Sequence, residues 1–319
     1  MMTALKLSRP LPEAIQYLAA VDGGGTSTRA RVWHRSGVHV GEGRAGASGL
    51  MQGSAQAWTH IARAVELAAA DKLQADWPAA TPLNTALGLG LAGANNPVWA
   101  QHFLQTNPGY AQVALHSDAV TALHGAHDGA AGALVIFGTG AIGVVQDFQG
   151  VLRTVGGWGF PAGDEGSGAD LGLQAIRLTQ QALDGRRDAS ALTEALLQHV
   201  GGSRDTLLEW CGRANQNTYA SCAPLVFAAA PADASAQGLV TLALDSLCAI
   251  AQALDPHERL PLVVAGSIGQ QLMARLPRSL THRLVAAQGD AMHGALQLLL
   301  RTLCEPAQVF PSSINTPYS

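Results

Sequence analysis

The segment Asp22-Gly23-Gly24-Gly25-Thr26-Ser27-Thr28 joins two apolar runs and has no Cβ at three consecutive positions. Backbone N–H groups in such a turn approach an anion closely, and the hydroxyls of Thr26 and Ser27 add donors. This is the chemistry of a phosphate cradle, with Gly24, Gly25, Thr26 and Ser27 as its contacts. Asp22 brings a negative charge that a phosphate alone repels, so the pairing makes sense with a divalent cation between them. A plain hairpin turn is the competing explanation, but it needs only one or two glycines.

A second turn, Gly138-Thr139-Gly140-Ala141, has the same chemistry without an acid. Two such turns facing each other would clamp a polyphosphate from both sides. Gly156-Gly157-Trp158-Gly159 and Gly163-Asp164-Glu165-Gly166-Ser167-Gly168 form a long glycine loop with two carboxylates ahead of a helix. Asp164 or Glu165 can accept from hydroxyl groups or from water on Mg²⁺, and Trp158 can stack on a sugar face. Helix N-terminal charge is the plainer role for these acids, worth only about 0.3–1 kcal/mol. Asp118 stands between an apolar run and a helical one, where it is either a helix N-cap or a general base at the carboxyl end of a strand.

Gly88-Leu89-Gly90-Leu91-Ala92-Gly93 matches G-x-G-x-x-G, but Gly88 and Gly90 fall inside the apolar run instead of after it. Dinucleotide binding is therefore the weaker reading. There is no G-x-x-x-x-G-K-[ST], no H-R-D with D-F-G, and no H-E-x-x-H. Those phosphoryl-transfer and metalloprotease designs are excluded.

These residues need strands to position them. Tyr17 to Val21, Thr28 to His34 and Val38 to Val40 read as an antiparallel meander, followed by a helix over Ala55 to Ala70 with apolar residues at i, i+3, i+4, i+7. Strands over Thr85 to Leu91 and Gln112 to His116, with a helix opening at Asn96-Pro97 between them, complete a mixed sheet. The pattern then repeats. Gly25, Thr26, Gly37, Val38 and Gly43 recur farther along the chain, in one register and without a gap, as Gly138, Thr139, Gly150, Val151 and Gly156. Helices are expected over Asp170 to Leu183, Ala189 to His199, Ser221 to Ala229, Ser235 to Leu254 and Ala291 to Leu303. Two further strands are expected over Leu262 to Ala265 and Arg283 to Ala287. The expected architecture is α/β, with residues 1–118 as one domain, 119–288 as a second, and a last helix over 289–305 packing back on the first.

With 319 residues, 48% of them apolar and 13% charged, the chain has material for about two cores, and disorder is excluded. A formal net charge of −4 without a basic run argues against a nucleic-acid partner. Cys211, Cys222, Cys248 and Cys304 stand far apart, so no disulfide framework or zinc site is expected. Lys6, Arg9, Pro10 and Pro12 break the region a secretory signal needs. No apolar run approaches the length of a membrane span, roughly 18 residues or more. A cytoplasmic protein with no membrane partner is expected, with a homodimer left open.

Taken together, Asp22-Gly-Gly-Gly-Thr-Ser-Thr, Phe137-Gly-Thr-Gly, Gly156-Gly-Trp-Gly, Gly163-Asp-Glu-Gly-Ser-Gly and Ala265-Gly-Ser resemble, in order and spacing, the N-acetylglucosamine kinase and BadF/BadG/BcrA/BcrD ATPase family. That family belongs to the sugar kinase, Hsp70 and actin superfamily. The resemblance implies two ribonuclease-H-like domains flanking a cleft for ATP and sugar. It also implies transfer of the γ-phosphoryl group of ATP, with Mg²⁺, to the 6-hydroxyl of an amino sugar: N-acetylglucosamine first, glucosamine second. By the same resemblance Thr26 and Thr139, with Gly140, contact phosphate, and Asp22 holds Mg²⁺ through water. Asp118 becomes the catalytic base. Ser48, Gly157, Trp158, Gly159 and Asp164 line the sugar site, and Ala220, Gly266 and Ser267 lie near the adenosine. Two positions depart from the family pattern: Gly49 stands where an Asn contacts the sugar, and Ala141 where a Ser follows G-T-G. The family also holds redox ATPases with a cysteine-bound iron–sulfur cluster, for which this chain offers no cysteine pair, and a non-catalytic ATP- and sugar-binding protein is the non-enzyme alternative.

Overall fold

The computed structural model describes residue 5, residues 10–70 and residues 77–304. Lys6, Arg9 and the expected end of the last helix at residue 305 lie outside the described residues. The first unit opens with β1 (Tyr17–Gly23), β2 (Thr28–His34) and β3 (His39–Ala45) as an antiparallel meander. Helix α1 (Ser54–Ala69) then returns the chain to β4 (Thr85–Leu91), which lies parallel to β1. Helix α2 (Pro97–Gln105), β5 (Gln112–Ser117) and α3 (Asp118–Ala126) follow, giving the sheet order β3-β2-β1-β4-β5. Parallel strands require such crossovers, and here the helices supply them.

The second unit repeats the plan with β6 (Gly132–Phe137), β7 (Ala141–Gln146) and β8 (Leu152–Gly156). The register of the repeat is kept: β2 and β7 open at residues 28 and 141, β3 and β8 at 39 and 152. The turn glycines Gly37 and Gly150 share a left-handed backbone, at φ +87° and +83°. Helices α4 (Gly168–Leu183), α5 (Ala191–His199), α6 (Arg204–Arg213), α7 (Gln216–Ala220), α8 (Ala223–Ala229) and α9 (Ala234–Leu254) lead to β9 (Leu262–Ala265), parallel to β6. After α10 (Ser267–Leu272) and α11 (Arg278–Thr281), the chain returns to the first unit for α12 (Ala291–Cys304). Helix α9 is long and apolar enough to span a membrane by composition alone, yet Leu239, Val240, Leu247 and Leu254 along it are buried in the core of this unit.

Three expectations are corrected. The strand over Arg283 to Ala287 does not form: it makes one parallel bridge, Leu262 to Leu284, because β9 is only four residues long and Arg283 turns inward to a buried ion pair with Asp255. Helices α6 and α7 were not expected, since α6 buries only Leu207 and carries no apolar stripe. The chain passes between units at residues 130–131 and 285–286, not at 118. The reason is that α3 packs on β4 and α12.

That packing also explains the G-x-G-x-x-G match. Both faces of the first sheet are covered. Tyr17, Ala19 and Val21 meet Trp58, Ile61 and Val65 of α1, while Leu18 and Ala20 meet Met292, Ala295 and Leu299 of α12. On the second face Gly88 makes room for the backbone of α12 and Gly90 for the Thr121 side chain of α3. A Cβ would stand 2.2 Å from the Ala295 carbonyl oxygen at Gly88, and 2.1 Å from Thr121 Oγ1 at Gly90. Gly294 of α12 sits as close to α3, where a Cβ would lie 1.9 Å from the Thr121 carbonyl oxygen. Gly294→Leu should therefore cost about 3 kcal/mol or more, because backbone cannot yield as a side-chain tip does. Gly238→Ala, on an exposed part of α9 with nothing within 4 Å of the added Cβ, should raise stability by about 0.5–1 kcal/mol. Urea unfolding of the two variants checks both signs.

Candidate functional site

Strands β1 and β2 end at Gly23 and Thr28, which pair directly, so residues 24–27 form the turn. Gly24 N–H closes it on the Ser27 carbonyl at 3.0 Å, and the Gly24 carbonyl accepts the N–H groups of Ser48 and Gly49, each at 3.0 Å. Gly24 is thus committed to holding the turn. Gly25, Thr26 and Ser27 stand exposed, which leaves them the residues of this turn open to solvent. Ser48, expected at the sugar, is instead fully buried, with its Oγ 2.7 Å from Thr28 Oγ1 in a hydrogen bond. It braces the turn from beneath, where a Cβ at Gly23 would come within 2.1 Å of it. Gly49 has an ordinary backbone (φ −61°, ψ 135°), and a Cβ there would stand 3.5 Å from the Gly24–Gly25 peptide.

Asp22 lies opposite Arg29 across the hairpin, and the guanidinium donates to Asp22 Oδ2 through Nη2 at 2.5 Å and Nε at 3.2 Å. Asp118 opens α3 as its first residue. The N-cap is Ser117, whose Oγ accepts the Val120 N–H, so the capping explanation for Asp118 falls away. Asp118 Oδ1 accepts the Ala119 N–H at 2.8 Å. Burial pushes the Asp118 carboxyl above its usual range; the Ala119 bond opposes this, and the nearby Asp22 charge adds to it. Strand register sets Asp22 beside Gly90 and Gly90 beside His116, so Asp22 and Asp118 lie toward the same end of the sheet. Among the described residues no group of three or more His, Cys, Asp or Glu could hold a metal ion. Asp22 offers hard oxygen to a divalent cation, which fits Mg²⁺, an ion that keeps most of its waters and takes one or two carboxylates plus phosphate.

In the second unit, Gly138 N–H closes the shorter turn on Gly140 O at 2.9 Å, and the Gly138 carbonyl accepts Gly168 N–H at 2.8 Å. Thr139 is exposed at the mouth of a hollow of about 430 Å³, whose lining includes Gly168, Ala220, Pro224, Phe227, Ser267 and Ile268. The expected adenosine residues Ala220 and Ser267 thus line one hollow with Gly138 and Thr139 of the second turn. Gly266 is not in the lining. It has φ +86° and a Cβ there would stand 2.1 Å from the Phe137 carbonyl oxygen, so it lets β9 close on β6. A larger hollow of about 580 Å³, between α1 and residues 79–85, is lined mainly by apolar groups such as Val65, Ala69 and Pro82 and has no anion-binding turn.

Gly157, Trp158 and Gly159 form an exposed loop, with Gly157 and Gly159 at φ +72° and +85° and Trp158 81% exposed. Asp164, expected to face a sugar, is 5% exposed. Its Oδ1 accepts Ala141 N–H at 3.1 Å, its Oδ2 accepts Gln216 Nε2 at 2.8 Å, and Phe160 N–H also donates to it. Burial raises its pKa and these donors oppose the rise, so it anchors the loop. The adjacent Glu165 is the exposed acid, on a shallow hollow shared with Trp158 and Ser246. Sequence reasoning missed Arg29 and Gln216. Arg29 was within reach, because closing the hairpin at residues 24–27 sets 22 against 29; Gln216, far from Asp164 along the chain, carried no local signal.

The model of the BadF/BadG/BcrA/BcrD ATPase family matches residues 20–255. The chain belongs to that family. Among members and relatives, the chain is 33% identical over 287 residues to the glucosamine kinase of Vibrio cholerae, covering 88% of this chain and 95% of that one. It is 28% identical over 180 residues to the N-acetyl-D-glucosamine kinase of Dictyostelium discoideum, covering 53% and 56%. A crystal structure from Chromobacterium violaceum, provisionally named an N-acetylglucosamine kinase, superposes with a TM-score of 0.85 at 45% identity, covering 90% of this chain and 99% of that one. Like that neighbour, this BadF/BadG/BcrA/BcrD family member is built from two ribonuclease-H-like units of the actin-like ATPase fold. The loop geometry yields a contrast. Gly49→Asn should fold with a melting temperature within about 2 °C of the parent, since the Cβ meets only ordinary contacts, whereas Gly23→Ala should lose about 1–3 kcal/mol by forcing Ser48 and Leu91 apart. Calorimetric scans of both variants decide it.

Proposed function

We propose that the protein is an ATP-dependent amino sugar kinase that transfers the γ-phosphoryl group to the 6-hydroxyl of N-acetylglucosamine, in the cytoplasm where ATP is supplied. The observation that carries the reading is the pair of turns in one repeated register, one beside Asp22 and Asp118, the other at the mouth of the hollow holding Ala220 and Ser267. Phosphoryl transfer is mostly positioning and charge neutralisation, and those are what these groups supply. The match to a glucosamine kinase over 88% of this chain and 95% of that one supports the substrate class. Glucosamine is the second candidate, favoured by that match and by the missing side chain at Gly49.

In this reading Gly25, Thr26 and Ser27 are the phosphate-binding donors that the first unit offers, and Thr139 and Gly140 those that the second unit offers. Asp22 holds Mg²⁺ through water, with Arg29 keeping its carboxylate aimed. Bound Mg²⁺ supplies neutralisation of the charge that develops on the transferring group. Asp118 accepts the proton of the attacking hydroxyl, for which the raised pKa makes it a stronger base than an exposed aspartate. Trp158, between Gly157 and Gly159, offers a flat apolar face to the sugar ring, and Glu165 is the acid free to reach its hydroxyls.

ADP release with Mg²⁺ over a panel of hexoses tests the substrate; no turnover above the water background with either amino sugar would sink the reading. Asp118→Asn should lower kcat by about 10²–10⁴-fold, leaving affinity for a non-hydrolysable ATP analogue and the melting temperature near the parent's, since Ser117 keeps the cap. The pH profile has a definite sign. The carboxylate form is the base, so kcat/KM should fall as pH drops through the raised Asp118 pKa, above the usual aspartate range. An acid limb at the ordinary aspartate position would remove Asp118 from that role.

A further inference from the structure

Helix α7 touches three separate parts of the second unit within five residues. At its start, Gln216 Nε2 donates to Asp164 Oδ2 at 2.8 Å. Near its end, the Tyr219 ring lies 5.5 Å from the Phe160 ring on the glycine loop. Its last residue, Ala220, lines the hollow with Thr139 and Phe227. A little over one helical turn has no internal joint, so what displaces Ala220 displaces Gln216 and Tyr219 with it. It also lies on bare backbone: at Gly172 of α4 a Cβ would stand 1.9 Å from the Tyr219 carbonyl oxygen.

We propose that α7 transmits occupation of the nucleotide hollow to the loop of residues 157–166, with Gln216 as the positioning residue, an inference that rests on the nucleotide reading above. Asp164 is the receiving end. It has a left-handed backbone at φ +65°, a conformation that costs a non-glycine residue free energy and persists only where surrounding bonds hold it. Those bonds join the turn, through Ala141 N–H, to the loop, through Phe160 N–H. Removing the Gln216 donor leaves a buried carboxylate oxygen short of a partner, which releases the point where turn and loop are tied together. Trp158, on the same loop as Asp164, reports the loop's setting because it is largely in solvent.

The test titrates the full-length protein with adenosine 5′-(β,γ-imido)triphosphate while reading tryptophan emission, with Trp158→Phe subtracting the other tryptophans. The analogue should change Trp158 emission in the parent. In Gln216→Leu the change should fall to under a third, with affinity for the analogue altered less than twofold, and the KM for the sugar should rise about fivefold at little cost in kcat. Tyr219→Leu, which keeps the Asp164 bond and removes the ring contact, gives a second reading if Gln216→Leu does not fold, and its response should at least halve. A full response in the folded variants overturns the proposal, as does a parent that binds the analogue with Trp158 unmoved. A parent that does not bind the analogue overturns the nucleotide reading instead.

Discussion

One buried carboxylate governs the second unit. Asp164 is the common acceptor for a turn N–H, a loop N–H and a side-chain amide from α7. A carboxyl group at 5% exposure is tolerable only when its oxygens are filled in this way. Once they are filled, three segments distant in sequence have a fixed mutual geometry. Asp164 turns inward on a left-handed backbone and lies beneath Gly140, where a Cβ would stand 2.9 Å from its Oδ2, while Gly163 and Gly166 make room for Trp158 and for Ala243 of α9.

The first unit meets the same demand with neutral groups. Its turn is held by carbonyl and hydroxyl contacts from residues 46–49, with Thr28 Oγ1 donating to the Gly46 carbonyl at 2.6 Å. No buried charge is needed beneath it, and the charged residues lie on the exposed side as the Asp22–Arg29 pair. The two halves share strand register, while the means of supporting their turns have diverged.

Much of this was legible in the chain. Strand starts and turns carry local signals, in period-two apolar runs, glycine clusters and a register that recurs in the second half, and the meanders and their two glycine turns lie where these put them. What depends on distant partners was not legible. Ser48 and Asp164 have the composition of ligand contacts, and only the fold reveals that their polar atoms are spent on Thr28, Ala141, Phe160 and Gln216. Gly88 and Gly90 fit a phosphate-binding pattern, and their reason is helices pressed on the sheet, through the Ala295 backbone at Gly88 and the Thr121 side chain at Gly90. The strand expected over Arg283 to Ala287 has a suitable sequence but only a short neighbour to pair with.

The return of α12 has a consequence for synthesis. Leu18, Ala20 and Ala86 are made before any residue of the second unit, yet the helix that covers them spans residues 291–304. The second unit, residues 131–285, is continuous and has all of its core partners before that helix exists. Folding in the order of synthesis therefore completes the core of the second unit first, and the first sheet keeps part of one apolar face uncovered until residues 291–304 have been made. That interval is when the chain is most exposed to aggregation and most in need of a chaperone.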